Sequence, residues 1–221
     1  MRAAVAILRK DLRIEWRTRE SVSGLVALGI LLLVVFTIAH DPTPDQAPLL
    51  APSVLWATFV FTGLLGVQRS FLLEREQDCL AGLLLAPIDP AAIFAGKLAA
   101  NMVLLGAMQV IVVPMVGLLL HVDFLPVLPG LLVVLTLGNL GFAAGATLFT
   151  AIAVRTRARE VLLPLLLLPL VLPVLIAGVK ATQAVLAGGL ARAGDALAVL
   201  GAFDVIFTVA GWLLFTYVVR D

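Results

Sequence analysis

Residues 69–97 read RSFLLEREQDCLAGLLLAPIDPAAIFAGK, and the layout of the whole chain follows from how this stretch is placed. It holds four of the fourteen carboxylates, Glu74, Glu76, Asp78 and Asp89, together with Arg69, Arg75 and Lys97. Apolar runs long enough to cross a bilayer flank it on both sides. Charges are costly in hydrocarbon, so a charged interruption between two such runs sits in water or against a partner protein. Taken as a helix, residues 71–85 put Leu72, Leu73, Leu80, Leu83 and Leu84 on one face. Glu74, Arg75, Gln77 and Asp78 lie largely opposite, and Glu76 is an exception inside the apolar stripe. The pattern predicts an amphipathic helix parallel to the membrane, its polar side toward the cytoplasm. The run stops at Ala86-Pro87 and restarts after Asp89-Pro90, because proline suits a helix start and not its interior. A plain solvated loop is the simpler alternative; the length and amphipathicity of the stretch weigh against it.

Composition agrees with spans on either side. The 221 residues are 62% hydrophobic and 13% charged, whereas a soluble domain is roughly half apolar and a quarter charged. The class implied is a polytopic, all-α membrane protein. One cysteine, Cys79, excludes an internal disulfide and a cysteine-based metal site, and two histidines leave little for a protein-bound metal. The first apolar run follows basic residues as a signal peptide would. It exceeds the roughly 7–15 residues of a signal core and has no clear small-x-small cleavage site after it, so it reads as a retained span.

A bilayer core of about 30 Å needs about 20 helical residues, and unpaired backbone in lipid makes helix the default. Six spans are predicted, at 21–39, 50–68, 98–120, 128–153, 161–179 and 197–218. Residues 1–20 precede them with six basic side chains; Val5, Leu8, Leu12 and Trp16 share one helical face, and Ile7 and Ile14 fall off it. A short interfacial helix over anionic headgroups is expected there, a solvated basic tail being the alternative. Thirteen Lys and Arg fall on the side of the termini and the 69–97 segment, against only Lys180 and Arg192 on the other. The positive-inside rule therefore places both termini and the segment in the cytoplasm. On the outer side, His40–Leu49 is Pro-rich, His121–Pro126 is tight, and 180–196 reads as a short helix interrupted at Gly188-Gly189. No repeat and no soluble domain is visible. The chain reads as a single transmembrane domain over 1–221, and any ATPase must be a separate chain.

Few residues offer chemistry. The fifth span carries Pro164, Pro169 and Pro173, each of which removes a backbone hydrogen bond. In the fourth, Gly138, Gly141, Ala144, Gly145 and Ala146 make a small-residue surface that lets helices approach closely, either for a shifting pair or for a static bundle. Asp204, about seven residues into the last span, is a candidate pathway or coupling carboxylate. His40 and His121 fall at outer ends of spans and are candidate haem ligands; lone interfacial histidines are the bland alternative. Asn101, Gln109 and Asn139 suit interhelical hydrogen bonds. No HExxH, Gly-x-Ser-x-Gly or P-loop pattern occurs, so no catalytic residue is assigned and no metal or intrinsic cofactor is expected.

Three segments carry a family resemblance: LRKDLRIEWRTRE, GVQRSFLLEREQDCLAGLLLAPIDPAAIFAGKLAAN and LTLGNLGFAAGATLFTAIAVRTRAREVLLPLLLLPLVLPVLIAG. Together they resemble CcmB, the permease subunit of the haem-exporter ABC complex of cytochrome c maturation. The likeness extends over nearly the whole chain, and the second segment is its most specific part. Gln77, Ala81 and Pro90 depart from the residues usual at those places, an acid, a glutamate and a basic residue respectively. The resemblance implies an ABC-2-type permease that pairs with a second copy of itself and with two CcmA-like ATPase subunits, which bind the ATP. It further implies CcmC-like and CcmD-like membrane partners and a CcmE-like haem chaperone, with haem as a handled ligand and no nucleic acid. By the same resemblance the 69–97 segment is a cytoplasmic coupling helix between spans 2 and 3. Glu74, Arg75, Glu76 and Asp78 would supply its charge complementarity to the ATPase, and Leu83, Leu84, Leu85 and Pro87 its packing surface. The competing expectations are an ABC-2 permease for a lipid or drug and a membrane scaffold that transports nothing.

Overall fold

A computed structural model describes residues 2–18, 20–40, 42–76, 89–153 and 159–220. Among these residues every long element is an α-helix: α1 (Arg2–Thr18), α2 (Glu20–His40), α3 (Ala47–Glu76), α4 (Pro90–Leu120), α5 (Leu128–Ala153), α6 (Arg159–Gly188) and α7 (Gly194–Arg220). Six of them, α2 to α7, are long and apolar enough to cross a membrane. The chain alternates direction through these six. The α2–α3, α4–α5 and α6–α7 connections therefore gather at one end of the bundle, and α1, the end of α3, the start of α4 and the end of α7 at the other.

Local chemistry sets several boundaries. α4 opens where the Asp89-Pro90 pair predicts a restart: Asp89 caps it, its Oδ1 accepting from the Ala91 amide at 3.0 Å, and Pro90 takes the first turn. Its other end is closed by His121 in a left-handed conformation, φ 53°, whose N–H donates to the Gly117 carbonyl. α6 runs to Gly188 and ends at Gly189, whose φ of 85° is open to glycine and strained for other residues.

Two spans differ from their expected limits. α4 begins at Pro90 and not at 98, so Lys97 lies inside a helix. α6 continues past residue 179 to Gly188, so Lys180 lies within the apolar span Pro169–Gly188 and not in a connection. A charge lowers hydropathy without interrupting the backbone ladder, which continues until a residue breaks it.

The core is centred on Trp56 of α3, which is fully buried. Its indole lies against Gly138 of α5 and Gly178 of α6, where any side chain would overlap the ring. Trp56 Nε1 donates to Thr182 Oγ1 of α6 at 2.9 Å, and Phe59 and then Phe142 continue the aromatic contact edge to face. Gly141 takes Asp204 and Phe203 of α7, and Gly145 takes Leu170 of α6. One glycine-lined face of α5 thus receives three different helices.

Gly138→Ala and Gly178→Ala are each expected to lower stability by about 1–3 kcal/mol through overpacking against Trp56. Gly201→Ala, where an added methyl meets nothing within 4 Å, is expected to be neutral or to stabilise by up to about 1 kcal/mol. Thermal unfolding of the three variants in one detergent checks the contrast.

Candidate functional site

The expected coupling segment is held between α3 and α4. Glu74, Arg75 and Glu76 belong to the last turn of α3. Asp78, Leu83, Leu84, Leu85 and Pro87 lie outside the described residues. At 30 residues α3 is about 45 Å long, more than a bilayer core requires, and its apolar part ends at Val67. Its last turns therefore run beyond the hydrocarbon.

Around this exit the structure assembles a base that sequence reasoning missed. α1 lies on the start of α4. A Cβ at Gly96 would stand 2.9 Å from both the Ala4 carbonyl oxygen and the Ile7 Cβ, so glycine is what lets the two helices touch. Lys97 is buried, and its Nζ lies 3.7 Å from Asp11 Oδ2; Lys10 Nζ approaches the other oxygen, Oδ1, at 3.1 Å. Ile7, Ile93, Phe94 and Phe215 form a small apolar cluster of their own. The Phe94 and Phe215 rings are 5.6 Å apart, and Gly211 leaves room for the first. α1, the start of α4 and the end of α7 are thereby joined.

The face of α1 that packs is not the one its sequence favours. Val5 of the expected apolar stripe is exposed, whereas Ile7, placed off that stripe, is buried. A gap at Gly96 and a buried ammonium at Lys97 select the Ala4–Ile7–Asp11 face. A lysine within an otherwise apolar run was the available signal, since a buried ammonium requires a carboxylate.

The other candidates fall as follows. Asp204 is the eleventh residue of α7, about 15 Å from its start and so near mid-bilayer. It is buried with Oδ1 against the backbone of Gly141, and neither oxygen has a hydrogen-bond donor in good geometry among the described residues. Asn101 Nδ2 donates to Thr147 Oγ1 at 2.9 Å and Asn139 Nδ2 to the Met102 carbonyl at 3.0 Å, both between α4 and α5. Gln109 is buried, but its Nε2 finds no acceptor among the described residues. His40 Nδ1 lies 3.0 Å from the Phe36 carbonyl, which makes Nε2 the nitrogen left for other use; His121 caps α4. Both histidines stand at the connection end of the bundle. No group of three or more His, Cys, Asp or Glu gathers among the described residues.

The family model described as CcmB protein matches residues 2–219. The chain belongs to the CcmB family. "Heme exporter protein B" of Bradyrhizobium diazoefficiens is 30% identical over 215 residues, covering 96% of this chain and 94% of that relative. The protein of the same name from Paracoccus denitrificans is 32% identical over 185 residues, 83% and 84% of the two chains. That of Haemophilus influenzae is 28% identical over 201 residues, 90% and 89%. With six helices of spanning length, this CcmB-family chain is a multi-pass, all-α membrane protein of the permease type.

Asp11→Ala is expected to cost about 1.5–3 kcal/mol, because it removes the carboxylate beside the buried Lys97 ammonium. Asp11→Leu combined with Lys97→Met is expected to recover most of that loss. A double-mutant cycle on unfolding in detergent measures the coupling.

Proposed function

We propose that this chain is the membrane permease subunit of an ABC-type complex that handles haem in the assembly of c-type cytochromes. The observation that carries this reading is the CcmB family match from residue 2 to residue 219, together with relatives named for haem export. ATP is bound and hydrolysed by a separate CcmA-like chain, and the permease pairs with a second copy of itself. CcmC-like and CcmD-like membrane subunits and a CcmE-like haem chaperone complete the assembly. Both termini and residues 77–88 face the cytoplasm, where thirteen of the fifteen Lys and Arg lie.

In this reading the ATPase seats on the segment that follows α3. Glu74, Arg75, Glu76 and Asp78 supply charge, and Leu83, Leu84, Leu85 and Pro87 an apolar surface. Closure of the ATPase pair on nucleotide pulls the segment between two arrangements, each favoured by a different nucleotide state. Two features of the described structure support a coupling role. α3, which enters the segment, carries Trp56 into the core, and α4, which leaves it, is clamped to α1 through Asp11 and Lys97. Asp204, inside the spans with no hydrogen-bond donor in good geometry among the described residues, is the carboxylate through which repacking of α5 against α7 is sensed.

Glu76→Ala combined with Asp78→Ala is expected to weaken capture of the ATPase subunit by about tenfold or more, since contacts to charged groups contribute about 1.5–3 kcal/mol each. Co-purification from membranes measures it, followed by nucleotide-dependent release of the haem chaperone. Unchanged capture with unchanged release overturns the coupling assignment.

A further inference from the structure

At the end of the bundle opposite α1, a cavity of about 420 Å³ lies between α6 and α7. Pro173, Ile176 and Val199 are part of its apolar wall, and Lys180, Arg192 and Asp195 line it as well. Lys180 and Arg192 are the two basic residues that the chain places at this end, and both open onto the one cavity.

Lys180 sits eight residues before the end of α6, about 12 Å along the helix and inside the apolar span. Its ammonium forms no hydrogen bond or ion pair with any described residue. A lone cation at that depth is costly unless it snorkels to an anion at the interface. Arg192 is held in place from the other side. Its Nη1 donates to the Ala187 carbonyl at 3.1 Å, and its side chain folds over Gly188, where any Cβ would press on the guanidinium. The last carbonyls of α6 favour a cation there. Asp195 stands in the first turn of α7 and pairs with neither cation. Ile176 and Val199 are each about half exposed, so the apolar wall continues onto the outer surface of the bundle.

We propose that this cavity binds one phosphatidylethanolamine molecule. Its phosphate lies between Lys180 and Arg192, its ammonium meets Asp195, and an acyl chain follows Pro173, Ile176 and Val199. Two cations beside one carboxylate match a phosphate that carries a distal ammonium: the ammonium donates charge-assisted hydrogen bonds to Asp195, whereas the glycerol of phosphatidylglycerol is uncharged and the trimethylammonium of phosphatidylcholine has no N–H to donate. A small soluble anion would have no use for the apolar wall. Depth selects a lipid as well: Arg192 stands just past the end of α6 at headgroup level, and Lys180, about 12 Å deeper, reaches toward the same level by extending its side chain along the apolar wall. The inference rests on this geometry alone and is independent of the coupling role.

The test is native mass spectrometry of the full chain released from detergent micelles containing phosphatidylethanolamine, phosphatidylglycerol or phosphatidylcholine at equal mole fraction. One phosphatidylethanolamine is expected to be retained in preference to the other two. Lys180→Gln with Arg192→Gln is expected to weaken that retention by about tenfold or more. Asp195→Asn is expected to abolish the preference over phosphatidylglycerol while leaving a lipid bound. Added phosphatidylethanolamine should raise the melting temperature of the wild type and not that of the double variant, whose own unfolding transition shows that it is folded. Equal retention by wild type and double variant overturns the site. So does a wild-type preference for phosphatidylglycerol, or displacement of the lipid by a stoichiometric porphyrin dicarboxylate.

Discussion

Lipid tails are as apolar as leucine, so helices in a bilayer associate through close fit and hydrogen bonding and not by escaping the surroundings. Trp56 meets both requirements at one place. Its ring occupies room left by Gly138 and Gly178, and its one polar atom is satisfied by Thr182. Because the two glycines belong to different helices, a single side chain of α3 fixes the approach of α5 and α6 together. Gly141 and Gly145, one turn and two turns further along α5, repeat the device toward Asp204 of α7 and Leu170 of α6. Three neighbours on one face leave α5 little freedom to turn about its own axis.

The charged groups inside the bundle divide by how they are compensated. Lys97 is buried beside Asp11, and that pairing holds α1 to α4 more specifically than its apolar contacts do. An interfacial helix held only by its apolar stripe can slide or roll on the membrane, whereas an ion pair beside a glycine gap sets a register. Asp204 is the opposite case, a carboxylate near mid-bilayer with no donor among the described residues. Insertion scales put such a residue at about 2.5–3.5 kcal/mol unfavourable, a cost that a purely structural helix avoids with almost any apolar side chain. Its place against Gly141 means that any relative shift of α5 and α7 is felt first at this carboxylate.

The six spans were legible because a chain in lipid must close its own backbone hydrogen bonds, so apolar length alone implies helix. The start of α4 was legible because its cause, Asp89 before Pro90, is local. What stayed hidden depends on partners distant in sequence. The packing face of α1 is decided by Gly96 and Lys97, more than eighty residues away, and an amphipathic stripe averaged over α1 itself cannot report it. The depth of Asp204 was underestimated because the apolar run starts later than the helix, which opens at Gly194. Lys180 was assigned to a connection for the corresponding reason at the end of α6. Of the candidate coupling residues, Glu74, Arg75 and Glu76 fall in the last turn of α3, which continues unbroken from the span to Glu76 where a separate membrane-parallel helix from residue 71 was expected; the remainder lie outside the described residues.

α3 and α4, which flank residues 77–88 in the chain, are anchored in the bundle in different ways. The spanning part of α3 is 67% buried, whereas α4 carries α1 with it. By contrast the spanning parts of α2 and α7 are each only 17% buried within this chain. Displacement along α3 reaches Trp56 and is passed to α5 and α6 together, because a ring set between two glycines cannot yield to either without meeting the other. Displacement of α4 is passed through Phe94 to Phe215 at the end of α7. α5 and α7 meet at Gly141 and Asp204, and neither carboxylate oxygen has a hydrogen-bond donor in good geometry among the described residues. A change in the packing of these two helices therefore changes the surroundings of a charged group near mid-bilayer, where such a group is costly.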